Sequence, residues 1–318
     1  MNILVTSIGS FSAPATIESL RKSGRFDTIV GCDIYPSVWH NVSKNFDDVF
    51  IAPRVNESEK YFQFIKHVCD QCDINIIVPL TDVEVDFFND HREYFINNDI
   101  VITIGSPFFL NIARNKRILN DFCNKIDGLT PISSYSFGEL SIKSKFPLIA
   151  KPVNGRSSEG IYFVESLDHL KKDLRNTDYI YQEIIEGKIC TVDYVRSSKF
   201  NSDFCIPRWE HLRTKNGAGM TVEIFHSQLI DNIVSKIGRD FDINGCVNFE
   251  FIINKEKIHL IDINPRFSAG IGFSILSGYN FIESHINCFI NENILQRVEF
   301  NNIIAEKVMS DVINMQIC

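Results

Sequence analysis

The first 105 residues alternate strand-like and helix-like segments, and this alternation limits the fold more than any other feature of the chain. The strand-like segments are the apolar runs NILVTSI, TIVGCDI, INIIVPL and IVITIG. The helix-like segments are APATIESLRKSG, which ends at Gly24, ESEKYFQFIKHVCDQ and DVEVDFFNDHREYFINN. This rhythm predicts a parallel sheet with helices on its faces, that is, an α/β domain over residues 1–105.

A dinucleotide site is the first alternative for such a domain, since Gly9 follows the first strand and Asp33 ends the second. The turn reads SIGSFSAP, however, and lacks the G-x-G-x-x-G glycines that let the backbone approach a pyrophosphate. The sequence therefore disfavours a nicotinamide oxidoreductase. Asp33 is interpreted as a strand-end residue that could face a substrate cleft.

Composition excludes several other classes. A net charge of −8 and a pI near 5.5 argue against a general nucleic-acid binder. No run approaches the roughly 20 apolar residues that span a bilayer, and MNILVTSIG reads as a strand rather than a signal peptide. Nine cysteines, with a single C-x-x-C at Cys69 and Cys72, favour reduced, structural thiols. We expect a cytoplasmic protein that binds neither nucleic acid nor membrane.

From about Ser106 the pattern becomes a mixture of helices and strands, which predicts an α+β region of two subdomains. The predicted helices are FFLNIARNKRILNDFCNKI, SLDHLKKDLRN and a tail that begins near Gly270. The predicted strands are PLIAKP, IYFV, YIYQEII, ICTVDYV, WEHLR, CVNFEFII and KIHLIDI. We divide this region into residues 106–186, with a connecting helix and a lid, and residues 187–318.

The last two predicted strands, CVNFEFII and HLIDINP, carry polar residues at alternate positions. If Lys255, Glu256 and Lys257 form a three-residue loop, Glu250 lies opposite Asp262 and Asn248 lies opposite Asn264. Two carboxylates and an amide oxygen on one face would repel unless a cation lay among them, and these hard oxygens suit Mg²⁺ or Mn²⁺. The solvent-facing side of an edge hairpin stays open as an alternative.

Three further segments suit a nucleotide, although each also has a plainer interpretation. The loop in LIAKPVNGRSSEGIYFV could turn backbone N–H groups and Lys151 toward a phosphate, or could be a flexible hairpin tip. Residues 182–185 could border an adenine ring, or could simply end a strand. Lys116, taken alone, is typical of a solvated helix.

In this order, Lys116, the Lys151 loop, residues 182–185, Glu250 and the acid-x-Asn-Pro-Arg motif at 262–266 resemble the ATP-grasp superfamily. The likeness covers about residues 1–300 and is strongest to the branch of the carbamoyl-phosphate synthase large subunit. It implies the α/β domain followed by the two-subdomain ATP-grasp fold. One departure is Ile189, since relatives commonly carry a ribose-binding glutamate two residues after the hinge glycine, here Gly187.

The resemblance also implies a role for each matching residue. ATP phosphates would contact Lys116, Lys151 and the loop residues Gly155, Ser157, Ser158 and Gly160. Adenine would lie against Gln182, Glu183 and Ile185. One or two Mg²⁺ ions would be held by Glu250, Asp262 and Asn264. The charge on the transferred phosphate would be neutralised by Arg266 and Arg213.

By this likeness we expect an ATP-dependent carboxylate–amine ligase that forms an acyl phosphate on a small acid, an amino acid or a peptide, and releases ADP and phosphate. Carbamoyl- or carboxy-phosphate chemistry and a non-catalytic ATP-binding module are the alternatives. The partners would be small carboxylates and amines, and a homodimer is the commonest closed assembly. The acceptor side is predicted along Arg208, Trp209, His211 and Arg213, although Arg208 could equally be a solvated surface residue.

Overall fold

The computed structural model describes residues 1–141, 144–155, 159–175, 178–308 and 311–314. Its strands are β1 Asn2–Thr6, β2 Thr28–Asp33, β3 Asp48–Ile51, β4 Ile74–Val78, β5 Val101–Ile102, β6 Ser134–Tyr135, β7 Leu148–Pro152, β8 Tyr162–Val164, β9 Tyr179–Glu183, β10 Lys188–Ser197, β11 Ser202–Arg213, β12 Gly219–Ile224, β13 Gly245–Asn254, β14 Lys257–Asn264 and β15 Ile303–Glu306. Its α-helices are α1 Ala13–Ser23, α2 Ser58–Gln71, α3 Asp82–Asp90, α4 Arg92–Asn97, α5 Pro107–Arg114, α6 Lys116–Cys123, α7 Gln228–Asp240, α8 Ile271–Ile275 and α9 Phe281–Phe289. Short 3₁₀ turns lie at Ser37–Trp39, Asn41–Asn45, Phe137–Glu139 and Lys172–Leu174.

The N-terminal strands form a sheet in the order β3-β2-β1-β4-β5, and every pairing within it is parallel. This confirms the predicted α/β domain. Strand β3 was not predicted, because it is four residues long, lies at the sheet edge and has no buried residue to mark it. The predicted helix after β4 is two helices that meet at His91. Helix α1 ends as predicted at Gly24, whose φ of 63° suits glycine.

Two antiparallel sheets follow and confirm the two-subdomain ATP-grasp fold. The smaller sheet has the order β6-β9-β7-β8, and the larger has the order β14-β13-β10-β11-β12-β15. The small sheet draws its strands from residues 134–183 and the large sheet from residues 188–306, while the division at 105 and 186 stays a prediction. None of the helices within the described ranges has the length and apolar character that crossing a membrane requires. Cys69 and Cys72 are free thiols, and burial raises the pKa of Cys69 to about 12.

The hairpin of β13 and β14 has the predicted pairing but not the predicted loop. Asn254 pairs with Lys257, so the turn has two residues, Lys255 and Glu256, rather than three. A register shift next to Glu250 then leaves Ile261 as an extra residue in β14. A bulge adds one residue to one strand, and it restores the pairs Glu250–Asp262 and Asn248–Asn264. The bulge also explains why Ile261, an apolar residue of this strand, is only partly buried.

Two predicted helices differ from the structure. The helix predicted over residues 108–126 breaks at Asn115, whose side chain accepts hydrogen bonds from the backbone of Arg117 and Ile118 and so caps a new helix, α6. The helix predicted for SLDHLKKDLRN is wrong, because its described residues form turns and one 3₁₀ turn. Leu170 and Leu174 produced the helical spacing, and they are buried against the small sheet by successive turns instead.

Gly238 in α7 allows that helix to pack against β10. A Cβ at this position would lie 2.0 Å from the hydroxyl oxygen of Tyr194, which donates a hydrogen bond to Asp203. Gly238→Ala is therefore expected to lower the free energy of unfolding by about 1–3 kcal/mol, the usual cost of overpacking. Urea denaturation measures this, with Gly138→Ala as control, since a Cβ there meets no atom within 4 Å. Equal stability of the two variants would contradict the packing argument.

Candidate active site

A cavity of about 680 Å³ lies between the loops of the N-terminal domain and one face of the large sheet. The N-terminal domain contributes residues 10–12 and 80–83. The large sheet contributes polar residues from β10, β11, β13 and β14, and the chain after β14 contributes residues 266–270. The carboxyl ends of β1 and β4, next to which ligands bind in open α/β sheets, thus open toward the same space as β13 and β14.

The predicted metal ligands Glu250, Asp262 and Asn264 all line this cavity. Burial, and to a lesser degree the charge of Asp262, raise the pKa of Glu250, although Arg213 acts in the opposite direction. Arg213 donates to Glu250 Oε2 at 3.2 Å, and Lys116 Nζ lies 3.1 and 3.2 Å from the two oxygens of Asp262. Each carboxylate thus has one cation beside it.

The donor set can be tested against magnesium directly. Among the described residues, no three His, Cys, Asp or Glu side chains form a metal-binding group. The candidate site therefore consists of two carboxylates and an amide, and Asn264 is held by a hydrogen bond from its Nδ2 to Asn248 Oδ1 at 3.2 Å. Few protein ligands, all of them oxygen, fit Mg²⁺, which keeps several waters and completes its shell with substrate phosphates.

Lys116 connects this acidic face to the loop after β7. Its backbone N–H donates to Val153 O at 3.0 Å, and its ammonium donates to Gly155 O at 3.2 Å as well as to Asp262. As the first residue of α6, it owes this position to the break at Asn115. Its predicted place beside the phosphate loop is therefore compatible with the geometry.

Lys151 is the last residue but one of β7 and is half-buried. It lies close enough to Lys116, Asp262 and Glu250 to interact with their charges. Burial, followed by the charge of Lys116, lowers the pKa of Lys151 to about 8, while Asp262 and Glu250 act in the opposite direction. Within the described chain, no hydrogen bond or ion pair holds its ammonium. A desolvated cation without a fixed partner is suited to bind an anionic ligand.

The lowered pKa of Lys151 gives a pH prediction. The ammonium is charged below about pH 8 and loses its proton as the pH rises through that value. ATP affinity is therefore expected to fall as the pH rises from one unit below this pKa to one unit above it. Calorimetric titration with ATP measures this, and the fall should disappear in Lys151→Met. A wild-type affinity that stayed constant across this range would contradict the assignment.

The loop that would close over the phosphates is described only at its ends. Gly155 donates its N–H to Pro152 O, and a Cβ on Gly160 would lie 2.9 Å from Pro152 Cγ. Gly160 also has a φ of +69°, a conformation that glycine adopts without strain. Ser157 and Ser158 lie outside the described residues.

The predicted adenine residues differ in whether their hydrogen-bonding groups are already used within the fold. Gln182 is buried and donates to Asn120, and Glu183 exchanges hydrogen bonds with the backbone of Ser133. Their polar groups are thus already used within the fold. Ile185 and its neighbour Ile184 lie between the two antiparallel sheets, and their backbone groups make no hydrogen bond with other described residues. Within the predicted segment 182–185, Ile184 and Ile185 therefore have backbone groups available for an adenine edge, whereas the Gln182 side chain is already hydrogen-bonded.

The two predicted arginines both lie in the cavity wall, and each is held by an acid. Arg266 donates from Nε and from Nη2 to Asp82 Oδ2 at 3.0 and 2.8 Å. Arg213 contacts Glu250 and donates to Gly217 O at 2.9 Å. Asp82, which follows β4 by four residues, was missed, although its position just beyond a buried parallel strand was a usable signal.

The predicted acceptor strand places its residues alternately. Arg208 is fully buried rather than solvated, and it donates to Asp193 at 2.6 Å and to Glu210 at 3.2 Å. Trp209 and His211 do not line the cavity, so it lends no support to their predicted role; Trp209 stacks on a phenylalanine and His211 pairs with a glutamate. Side chains alternate along a strand, so Arg208, Glu210 and the cavity share one face.

Comparisons with known proteins agree with this architecture. Residues 113–270 match the model of the ATP-grasp domain, and residues 3–103 match the PylC-like N-terminal domain. Among the solved structures with a similar fold, three illustrate the likeness. A biotin carboxylase complex with β,γ-ATP from Campylobacter jejuni has a TM-score of 0.75 and 16% identity, over 93% of this chain and 72% of that one.

The second is the biotin carboxylase domain of 2-oxoglutarate carboxylase from Hydrogenobacter thermophilus, in complex with MgADP, ADP and bicarbonate. Its TM-score is 0.75 at 14% identity, over 94% of this chain and 72% of that one. The third is an L-amino acid ligase from Bacillus licheniformis, with a TM-score of 0.69 and 16% identity, over 90% of this chain and 73% of that one. At these identities the structural likeness establishes the fold.

Proposed function

The chain belongs to the ATP-grasp superfamily, and from that premise we propose that it is an ATP-dependent carboxylate–amine ligase acting on small molecules. The observation that carries the proposal is the convergence of two lysines on one acidic face. Lys116 bridges the loop after β7 and Asp262, while Lys151 presents a desolvated ammonium without a partner in the described chain. A polyphosphate with bound metal is the ligand that needs both signs of charge together.

The reaction begins with transfer of the γ-phosphoryl group of ATP to a carboxylate oxygen, which turns a poor electrophile into an acyl phosphate. An amine then attacks the acyl carbon and phosphate leaves. Phosphoryl transfer depends mainly on positioning and charge neutralisation. Lys151 and Lys116 would bind the phosphates, and Arg266 and Arg213 would face the transferred group. The backbone of Ile184 and Ile185 would receive the adenine edge.

The predicted metal ligands fit this role. Glu250, Asp262 and Asn264 would hold Mg²⁺, which when bound neutralises charge on the phosphate oxygens. Arg266 is oriented by Asp82 of the N-terminal domain, so both domains would build the phosphate-transfer site. The cavity is large enough for an amino acid or a short peptide next to the triphosphate.

A phosphate-release screen tests the proposal. Amino acids and short peptides are offered in pairs as acids and amines with Mg-ATP, and bicarbonate is tested in parallel as the acid of carboxy-phosphate chemistry. At least one acid–amine pair is expected to release phosphate above the level with Mg-ATP alone, with an amide detectable by mass spectrometry. Turnover with bicarbonate alone would favour the carboxy-phosphate alternative. ATP binding without turnover on any pair would favour a non-catalytic module.

A further inference from the structure

Glu210 in β11 has a carboxylate oxygen that no hydrogen bond explains. Its side chain is only 2% exposed, and Oε1 accepts from Arg208 Nε at 3.2 Å. Oε2 has no hydrogen-bond partner among the described residues, and Arg213 Nε lies 4.0 Å from it. A buried carboxylate oxygen without a donor is costly, so a native site of this kind calls for a partner such as a water, an ion or a ligand.

Two neighbouring polar atoms in the same cavity wall also lack hydrogen-bond partners within the described chain. They are Thr191 Oγ1 and Asn248 Nδ2, and both side chains are buried. Thr191 pairs across the sheet with Arg208 on one side and Glu250 on the other. It is therefore a diagonal neighbour of Glu210, at about 7 Å, within reach of one small molecule. Two unused acceptors and one unused donor match an amine next to an oxygen-bearing group.

The charged residues around Glu210 show that its unused oxygen lies close to the proposed phosphate-transfer site. Arg213 lies between Glu210 and Glu250, at 4.0 Å from the first and 3.2 Å from the second. Arg208 is also paired with Asp193, and Lys307 reaches the same corner, where it donates to Ala269 O. One guanidinium thus separates the unused oxygen of Glu210 from the acidic face that would hold the metal.

Gly219 on the adjacent strand leaves the space that this oxygen occupies. A Cβ at that position would lie 2.1 Å from Glu210 Oε2 and 2.9 Å from its carboxyl carbon. The φ of Gly219 lies outside the left-handed region that favours glycine, so the backbone conformation does not require a glycine here. The space that the Glu210 carboxylate occupies does require one.

We propose that Glu210 is the residue that binds the ammonium group of the amine substrate and accepts its proton, with Thr191 as a second acceptor. This assignment rests on the proposed ligase function. The ammonium gives one proton to Glu210 Oε2, and the neutral amine attacks the acyl carbon. The C–N bond forms, and the C–O bond to phosphate breaks. The phosphate leaves with that electron pair and takes the second proton from nitrogen, while Glu210 returns its proton to solvent.

Hydroxylamine separates this role from a structural one, because it is uncharged near neutral pH and needs no proton acceptor before it attacks. Glu210→Gln is compared with wild type, using a mixture of the twenty proteinogenic amino acids with Mg-ATP, with and without excess hydroxylamine. Amide formation is expected to fall by roughly 10²–10⁴-fold, the usual contribution of a general base. Hydroxamate formation should be retained, and raising the pH should partly restore amide formation.

Glu223→Gln is the matched control, since Glu223 is half-exposed on β12, pairs with His211 and lies outside the cavity wall. It should change neither product. Gly219→Ala tests the same site without removing a charge, and it should also depress amide more than hydroxamate formation. Thermal melting of each variant separates misfolding from a chemical effect, and Gly219→Ala decides if Glu210→Gln does not fold.

Equal loss of amide and hydroxamate in folded variants would overturn the assignment, as would full amide formation in Glu210→Gln. If wild type formed neither product, the proposed ligase function would fail, and the role of Glu210 would fail with it.

Discussion

Lys151→Met is expected to lower ATP-dependent turnover by roughly 10²–10³-fold, the usual effect of removing one preorganised charge from a transition state. Methionine keeps much of the volume of the lysine stem but removes the ammonium, which has no partner among the described residues. Because the site desolvates that charge, stability should not fall with activity. A functional charge that is kept at a cost to folding is expected to behave in this way: its removal lowers activity but not stability.

The stability of the same variant has a defined pH dependence. The pKa of Lys151 in the folded chain is about 8, below the ordinary lysine value of 10.5. The unfolded chain therefore binds more protons between these values, and wild-type stability rises with pH in that window. The advantage of Lys151→Met should be complete below pH 8 and should shrink as the pH rises toward 10.5. Urea denaturation at several pH values measures it.

Lys60→Met is the control for both measurements, since Lys60 is 74% exposed and lies on α2, outside the cavity wall. It should alter neither turnover nor the pH dependence of stability. Full turnover in Lys151→Met would refute the assignment of this lysine to the phosphates. Parallel loss of turnover and stability would instead assign it a structural role.

Arg208→Met is expected to lower the free energy of unfolding by about 3–5 kcal/mol, a large fraction of the stability of an ordinary domain. Arg208 is buried together with Asp193 and Glu210, and it also donates to Ser268 and Ser274. Removing the guanidinium leaves the fully buried carboxylate of Asp193 without its cation. An uncompensated buried charge accounts for most of such losses in stability.

Urea denaturation near neutral pH measures this loss. Arg208→Met combined with Asp193→Asn should recover part of it, because the second change removes the stranded charge. Arg297→Met provides the contrast, since the Arg297 side chain that pairs with Asp203 is 68% exposed and its loss should cost at most about 1 kcal/mol. If Arg208→Met and Arg297→Met cost the same, burial would not be the cause.

Much of this architecture could be predicted because it rests on local periodicity. The parallel sheet followed from alternating segments, and the facing of Glu250 and Asp262 followed from the period of two along paired strands. The loop inferred between them was wrong, since a turn of two with a bulge at Ile261 gives the same register as a loop of three. The sequence gives the number of residues between the two paired carboxylates. It does not tell how many of these residues form the turn and how many form a bulge.

The features that were missed depend on long-range packing or on side-chain competition with the backbone. Arg208 and Glu210 alternate with Trp209 in the sequence, but the pattern does not state which face is buried. Asp193 is apparent only once β10 lies between β11 and β13. Asn115 breaks a helix that its apolar pattern would continue, because its side chain caps the next turn.

The ion pair between Asp82 and Arg266 joins two parts of the chain that match separate family models. Asp82 belongs to the first of these modules, and the arginine that it orients belongs to the second. A chimera that took its N-terminal module from another member of the superfamily would keep this ion pair only if the donor carried an acid at the same position. The two modules are therefore matched at this ion pair, and replacing the N-terminal module alone with one that lacks the acid would loosen the site without altering a residue of the ATP-grasp domain itself.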